Sequence, residues 1–333
     1  TAVQNGLNVH LERLLKQPFI YPLNDQLVTQ ARQVLRSESL ATVVYRMLRE
    51  QARNLPEYRF SQHLGPQGSL FIGTEYVIPG FYTQTGYQQY FSVQGSALVT
   101  DILRDNWVLG EGAGISDMDL RRLMVELEQL YFRDYANYWS EAVGQVALPP
   151  ISDAGEGAEQ LAGLTSANSP VLALLTEVRE NTRFEAAADP VEEAGEAADA
   201  LAGQKGKLGK VGKLAAAAAD KASALSVAKN LPDTAKKSLQ RRFEPLHRLL
   251  DDNNGPAADL TPALSALNDL QLQLSGLARS STPEQAAFEM AKTRMSGQRD
   301  ALTNLRTASG RLPRPLSVWF NVLAEDSWRL VLN

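Results

Sequence analysis

Apolar side chains recur every three or four positions along most of the chain, the period of a helix that buries one face, while strict alternation is scarce. The pattern predicts a mainly α protein of multi-helix bundles, with at most a small β-hairpin near residues 70–78. Asn24 is placed to cap a helix carrying Leu27, Ala31, Val34 and Leu35, and Ser37 a second carrying Leu40, Val43, Val44, Met47 and Leu48. Pro56 ends that helical hairpin. Leu70–Ile72 and Tyr76–Ile78 are β-leaning and bounded by Gly73 and Pro79, so they read as a hairpin or as extended packing segments.

Helical spacing resumes after Pro79-Gly80 through Tyr87, Phe91, Leu98, Ile102 and Leu103, and stops near Gly110. Ser116 and Asp119 have capping-box spacing and open the strongest helix of the sequence. Its stripe, from Leu120 through Leu127, Tyr131, Tyr135, Trp139 and Val143, runs to Pro149-Pro150, which divides the chain into an N-terminal helical domain (1–148) and a second helical domain (151–333). Helix starts follow at Asp153 with Glu156, at Ser169-Pro170, at Thr261-Pro262, and at Thr282-Pro283 with Gln285 completing a capping box. Between them, residues 185–230 form a variable Ala/Gly/Lys-rich insert, poor in bulky apolar side chains, which reads as mobile with one Ala-rich helix around Ala215 to Ala219. Order returns at Asp233, with Leu239, Phe243, Leu246, Leu249 and Leu250 ahead of a DDNNGP turn.

Composition narrows the function classes. The 333 residues carry a formal charge of −5, so no global field favours nucleic acid or anionic lipid. The absence of cysteine excludes disulfide scaffolds, zinc-thiolate sites and cysteine nucleophiles. No stretch has the length and apolarity of a membrane-spanning helix, and the opening TAVQNGLNVHLERLL has no signal-peptide pattern. With no initiating methionine and an apolar run reaching the last residues, the chain reads as a piece of a longer protein.

Candidate chemistry is thin. His10, His63 and His247 lack ligand spacing and read as surface or cap residues. GEGAGI and GQKGKLGKVGK miss the phosphate-loop patterns, and no G-x-S-x-G elbow occurs. Asp117 with Asp119, and Glu126 with Glu128, point different ways from a helix and read as a solvated face. Lys205, Lys207, Lys210 and Lys213 read as solubilising charges, with an anionic surface or polymer as the sharper alternative. Aromatic residues crowd into residues 76–139. Their helical spacing favours a packed core over a sugar-binding platform.

Four blocks carry a family resemblance: YVIPGFYTQTGYQQYF, LVTDILRDNWVLGEG, LEQLYFRDYANYWSEAV and LTSANSPVLALLTEVRENTRF. In this order they resemble the IcmF/TssM family, the inner-membrane scaffold of the type VI secretion system. The matching positions are Pro79, Gly80, Thr83, Gly86 and Tyr87; Trp107 to Gly110; Tyr131, Asp134, Tyr135 and Trp139; and Ser169, Pro170, Asn181 and Thr182. Ile78 stands where the family pattern has valine. The resemblance covers about residues 20–330 outside the insert.

The resemblance implies a non-enzymatic periplasmic segment of an inner-membrane protein, with no cofactor, linking inner-membrane and outer-membrane components. Implied partners are other copies of the scaffold, the inner-membrane protein TssL, and the outer-membrane lipoprotein TssJ, the last through a C-terminal β-rich domain outside this chain. Nucleic acid and direct membrane insertion are not implied. The signature residues then have structural work: Pro79-Gly80 sets a turn, and Gly86 allows a close approach or a special backbone angle. Trp107 and Trp139 anchor packing, while Asp134 accepts a tyrosine hydroxyl. A peptidoglycan-binding or peptidoglycan-processing protein is the alternative from another class.

Overall fold

A computed structural model describes residues 39–104, 117–184 and 233–333, with 99–104 and 117–120 described by backbone alone. These residues are mainly helical, with no strand among them. The helices are α1 (Leu40–Gln51), α2 (Ser92–Arg104), α3 (Asp117–Gln145), α4 (Ala154–Thr165), α5 (Pro170–Thr182), α6 (Thr234–His247), α7 (Thr261–Arg279), α8 (Pro283–Met295), α9 (Ala301–Ser309) and α10 (Leu316–Leu332). The helix expected after Asn24, the Ser116 cap and the 185–230 insert lie outside the described residues.

Helix starts follow their local chemistry, with three departures. Asp153 caps α4 by accepting from the Glu156 N–H at 2.8 Å, and Ser169 caps α5, where Pro170 needs no hydrogen-bond partner. Helix α1 is capped by Ser39 rather than Ser37: its Oγ accepts from the Thr42 N–H at 3.2 Å. The capping box expected at α8 does not form, because the Thr282 N–H that Gln285 would satisfy donates instead to Ser280 Oγ at 3.1 Å. Thr261 lies inside α7 rather than before it, and its hydroxyl donates back to the Ala257 carbonyl at 3.0 Å.

The segments near 70–78 do not pair with each other. Ile72 bridges to Ala147 and Ile78 to Tyr58, both antiparallel and both isolated. Leu70 belongs to a 3₁₀ turn, Pro66–Leu70, and Gly73 has φ +74° with its Cα pressed on the Gln145 carbonyl, where a Cβ would lie 1.9 Å away. That contact holds the segment against the end of α3 instead of letting it fold back on itself.

The chain divides into two compact units, each gathered from separated stretches. Among the described residues, the first takes 39–56, 79–104, 117–135 and 233–237; the second takes 57–78, 136–184 and 238–333, so Pro149-Pro150 falls inside the second. Helices α3 and α6 each supply residues to both units. Within the first, α1 packs on α2, and Tyr131 and Tyr135 of α3 are fully buried. Within the second, α7 packs against α4, α8 and α9, and α10 against α8 and α9. Leu161, Leu164, Leu267, Leu270, Leu274 and Leu305 fill that stack with no exposed surface.

Candidate functional site

The signature residues of the first unit form a knot around Tyr131. Pro79 leads into a 3₁₀ turn, Gly80–Tyr82, and a Cβ on Gly80 would lie 2.2 Å from the Pro56 carbonyl oxygen. Thr83 follows in extended backbone. Its Oγ1 donates to the Gly80 carbonyl at 2.9 Å and accepts from the Gly86 N–H at 3.0 Å, capping the short turn Gln84–Gly86. Gly86 packs directly on the Gly80 carbonyl, where a Cβ would come within 2.1 Å. Of the two readings of Gly86, close approach is the one observed; the backbone angle is ordinary.

Tyr87 then opens a π-helical turn, Tyr87–Phe91, and the rings at both its ends meet α3. Phe91 stacks on Tyr131 at 3.9 Å between centroids, and Tyr87 lies 5.3 Å from Phe132. On the far side of Tyr87, Lys236 Nζ is 4.7 Å from the ring centroid, a cation–π contact.

Buried hydroxyls tie the rings together. Tyr131 donates to the Phe81 carbonyl at 2.5 Å. Tyr45 of α1 donates to Asp134 Oδ2 at 2.6 Å, and its oxygen is in turn hydrogen-bonded to the Tyr82 hydroxyl. Since Tyr45 has one proton and gives it to Asp134, Tyr82 is the donor of the second bond. Burial, followed by Tyr82 and Asp134, holds the Tyr45 phenol far above its usual range, and burial does the same to Tyr131 and Tyr135. All three stay protonated at any pH a cell meets.

The remaining signature residues belong to the second unit. Trp139, fully buried, packs on Tyr58 at 5.0 Å and edge-on to Phe60 at 5.8 Å. Tyr58 stacks on the His63 ring at 4.3 Å and donates its hydroxyl to Glu177 of α5. Burial raises the Glu177 pKa against that hydrogen bond and the nearby His63. Ser169 Oγ donates to the Leu164 carbonyl at 2.5 Å, joining α4 to α5. Asn181 Nδ2 donates to the Glu177 carbonyl at 3.0 Å. Thr182 donates to the Val178 carbonyl at 2.6 Å, which leaves its oxygen to accept from His247 Nε2, also at 2.6 Å. His247 is thus buried rather than on the surface, the correction to its reading from sequence. Trp107 and Gly110 lie outside the described residues.

The described signature residues thus gather around Tyr131 in the first unit and lie at Trp139 and at the two ends of α5 in the second, with no cluster of three metal-ligating side chains among the described residues. Of the rings weighed as a sugar platform, Phe81, Tyr82, Phe91, Tyr131, Phe132, Tyr135 and Trp139 are buried, whereas Tyr76, Tyr87, Tyr90 and Tyr138 are half-buried and Trp107 lies outside the described residues. Sequence reading missed Tyr45, Tyr58 and Glu177 as the partners of these residues. It also missed Asp326 and Trp319, which hold the Ile151 N–H at 3.3 Å and the Val146 carbonyl at 2.8 Å. Of these only Trp319 lies on an apolar stripe read from the sequence; Tyr58 belongs to no helix, and Glu177 and Asp326 are polar.

Among the described residues no helix is long and apolar enough to cross a membrane. The type VI secretion system component TssM1 of Pseudomonas aeruginosa is 27% identical over 191 residues, which are 55% of this chain and 17% of that protein. A chain of a solved type VI secretion system membrane core complex shares the fold with a TM-score of 0.58 and 17% identity, over 89% of this chain and 50% of that one. The chain thus spans about a sixth of the curated relative and half of the solved chain. The family model described as IcmF-related, intracellular multiplication and human macrophage-killing, matches residues 1–183, more than half of the sequence, and so the chain belongs to the IcmF-related family.

Proposed function

We propose that the chain is a non-enzymatic helical strut of a type VI secretion membrane complex. It stands in the periplasm between inner-membrane and outer-membrane components and assembles with further copies of the scaffold, with TssL and with TssJ. One observation carries this reading: the polar groups of the signature residues are consumed in packing. Thr83, Tyr131, Ser169 and Thr182 donate to backbone carbonyls, and Asp134 receives Tyr45. Groups used this way stiffen a backbone, and their hydroxyl protons are already committed to it. Family membership, and the likeness to a component and a complex bearing the secretion system's name, supply the assembly.

Affinity capture of the tagged protein from cross-linked envelopes tests the reading. We expect other membrane-complex components to be recovered, and Tyr131→Ala to abolish their recovery. Recovery of none of them from the wild-type protein, or cleavage of purified peptidoglycan by it, overturns the proposal.

A further inference from the structure

Helix α8 buries no residue, although it carries Phe288, 65% exposed, and Met295, 83% exposed. A helix of this length is marginal without tertiary burial, so a face this apolar gains from being covered. Beside it a cleft of about 850 Å³ is lined by Ala287, Phe288 and Ala291 of α8, by Leu330 and Leu332 of α10, and by the start of α4.

The occupant follows from the charges. Glu284, Phe288 and Lys292 are spaced by four residues, so each step advances only about 40° around α8 and the three share one stripe. The stripe reads acid, ring, base, with the ring midway. A two-fold axis through Phe288 therefore sets Glu284 of each copy against Lys292 of the other and brings the two rings together, each with the small side chains Ala287 and Ala291 of the other copy beside it. Parallel pairing would oppose like charges. Among the described residues neither Glu284 nor Lys292 forms an ion pair, whereas Arg294 is already held over Trp328 at 4.2 Å. The helix dipole accounts for an acid at one end and a base at the other. It does not account for both lying in line with an exposed phenylalanine at equal distances.

We propose that α8 is a homotypic docking surface, pairing antiparallel with α8 of a second copy of this chain across a two-fold axis at Phe288. This deepens the scaffold reading and rests on it for its biological setting, although the pairing itself is a property of the isolated chain. One helix and its cleft are smaller than the roughly 1,200 Å² of a standard interface, so the dimer belongs with the weak, transient contacts.

Sedimentation of the purified 333-residue chain across concentrations tests the pairing. Phe288→Asp should weaken dimerisation about tenfold or more. Glu284→Lys and Lys292→Glu should each weaken it about threefold, and the E284K/K292E double variant should restore it, because the swap re-creates the pairs. Since the chain has no cysteine, F288C also reports directly: with copper-phenanthroline it should form a disulfide-linked dimer, while L272C, equally exposed on α7, should not. A monomer at every concentration, a dimer indifferent to the charge swaps, or equal cross-linking of L272C overturns the proposal. A monomeric chain that still recovers the envelope components would remove the pairing and leave the scaffold reading standing. A dimer that recovers none would do the reverse.

Discussion

The knot around Tyr131 in the first unit and the leucine stack around α7 in the second bury their side chains equally well, yet they are specified differently. In the knot, rings at 3.9–6 Å are fixed by hydroxyls hydrogen-bonded to named partners, and two glycines let backbone touch backbone. In the stack, Leu161, Leu267, Leu270, Leu274 and Leu305 meet through aliphatic surface alone. Polar tethers and Cβ-free contacts admit one arrangement, whereas leucines on helical spacing tolerate many of similar volume. The family match, over residues 1–183, takes in the knot and stops short of α6 to α10. The matched stretch thus holds the tightly specified packing of the knot, and the difference teaches where substitutions will be costly.

The largest contrast is expected at Gly86. Gly86→Ala drives a methyl to 2.1 Å from the Gly80 carbonyl and 2.8 Å from that of Phe81, both backbone atoms with no rotamer to yield. The loss should be about 3–4 kcal/mol by urea denaturation. A loss under 1 kcal/mol would show that the knot relaxes as readily as the stack.

Next comes a pair of near-isosteric changes. Tyr45→Phe deletes one oxygen but leaves Asp134 and the Tyr82 hydroxyl without their buried partner, at a cost of about 2 kcal/mol. Leu267→Met at a fully buried stack position alters the shape of an entire side chain and should cost less than about 1.5 kcal/mol. The comparison fails if the methionine proves the more damaging.

The same distinction governs how much could be read in advance. The stripe of α3 is declared through spacing alone: Leu123, Met124, Leu127, Tyr131, Tyr135, Trp139, Val143 and Val146 are buried as that spacing requires, while Leu130 and Tyr138 at its margin are half-buried. Asp153 and Ser169-Pro170 are local signals, and both caps formed. What spacing does not encode is the partner. Nothing near Asp134 says that its tyrosine is Tyr45, 89 positions away, or that Tyr58 reaches Glu177 across 119. The isolated bridges of Ile72 and Ile78 were hidden for the same reason: a β-leaning segment names no neighbour, and Gly73 on the Gln145 carbonyl decided it.

A titratable link tests whether the second unit is as purely aliphatic as its stack implies. His247 of α6 meets Thr182 of α5, and its pKa is lowered to about 4, first by burial and then by Arg183 and Arg179. The folded state therefore holds the neutral ring, while the unfolded chain takes up a proton below about pH 6.5. Stability should decline as pH falls from about 6.5 to about 4, by roughly 1–2 kcal/mol from this residue. His247→Gln should flatten that part of the profile measured by denaturation at pH 7, 5.5 and 4.5. An unchanged slope would assign it to other groups.

The smallest effect has the opposite sign. Gly276 lies within α7, exposed, with nothing inside 4 Å of the position a Cβ would take, and its backbone angle is not one that side chains avoid. The glycine there costs conformational entropy on folding and yields no contact in return, so Gly276→Ala should stabilise the chain by about 0.5–1 kcal/mol. Gly86→Ala makes the same chemical change and destabilises. The sign difference isolates backbone contact from helix propensity, because the added methyl is identical and only its neighbours differ. Should Gly276→Ala also destabilise, the stack around α7 would be as intolerant as the knot, and the contrast between the two cores would have to be sought in their hydroxyls alone.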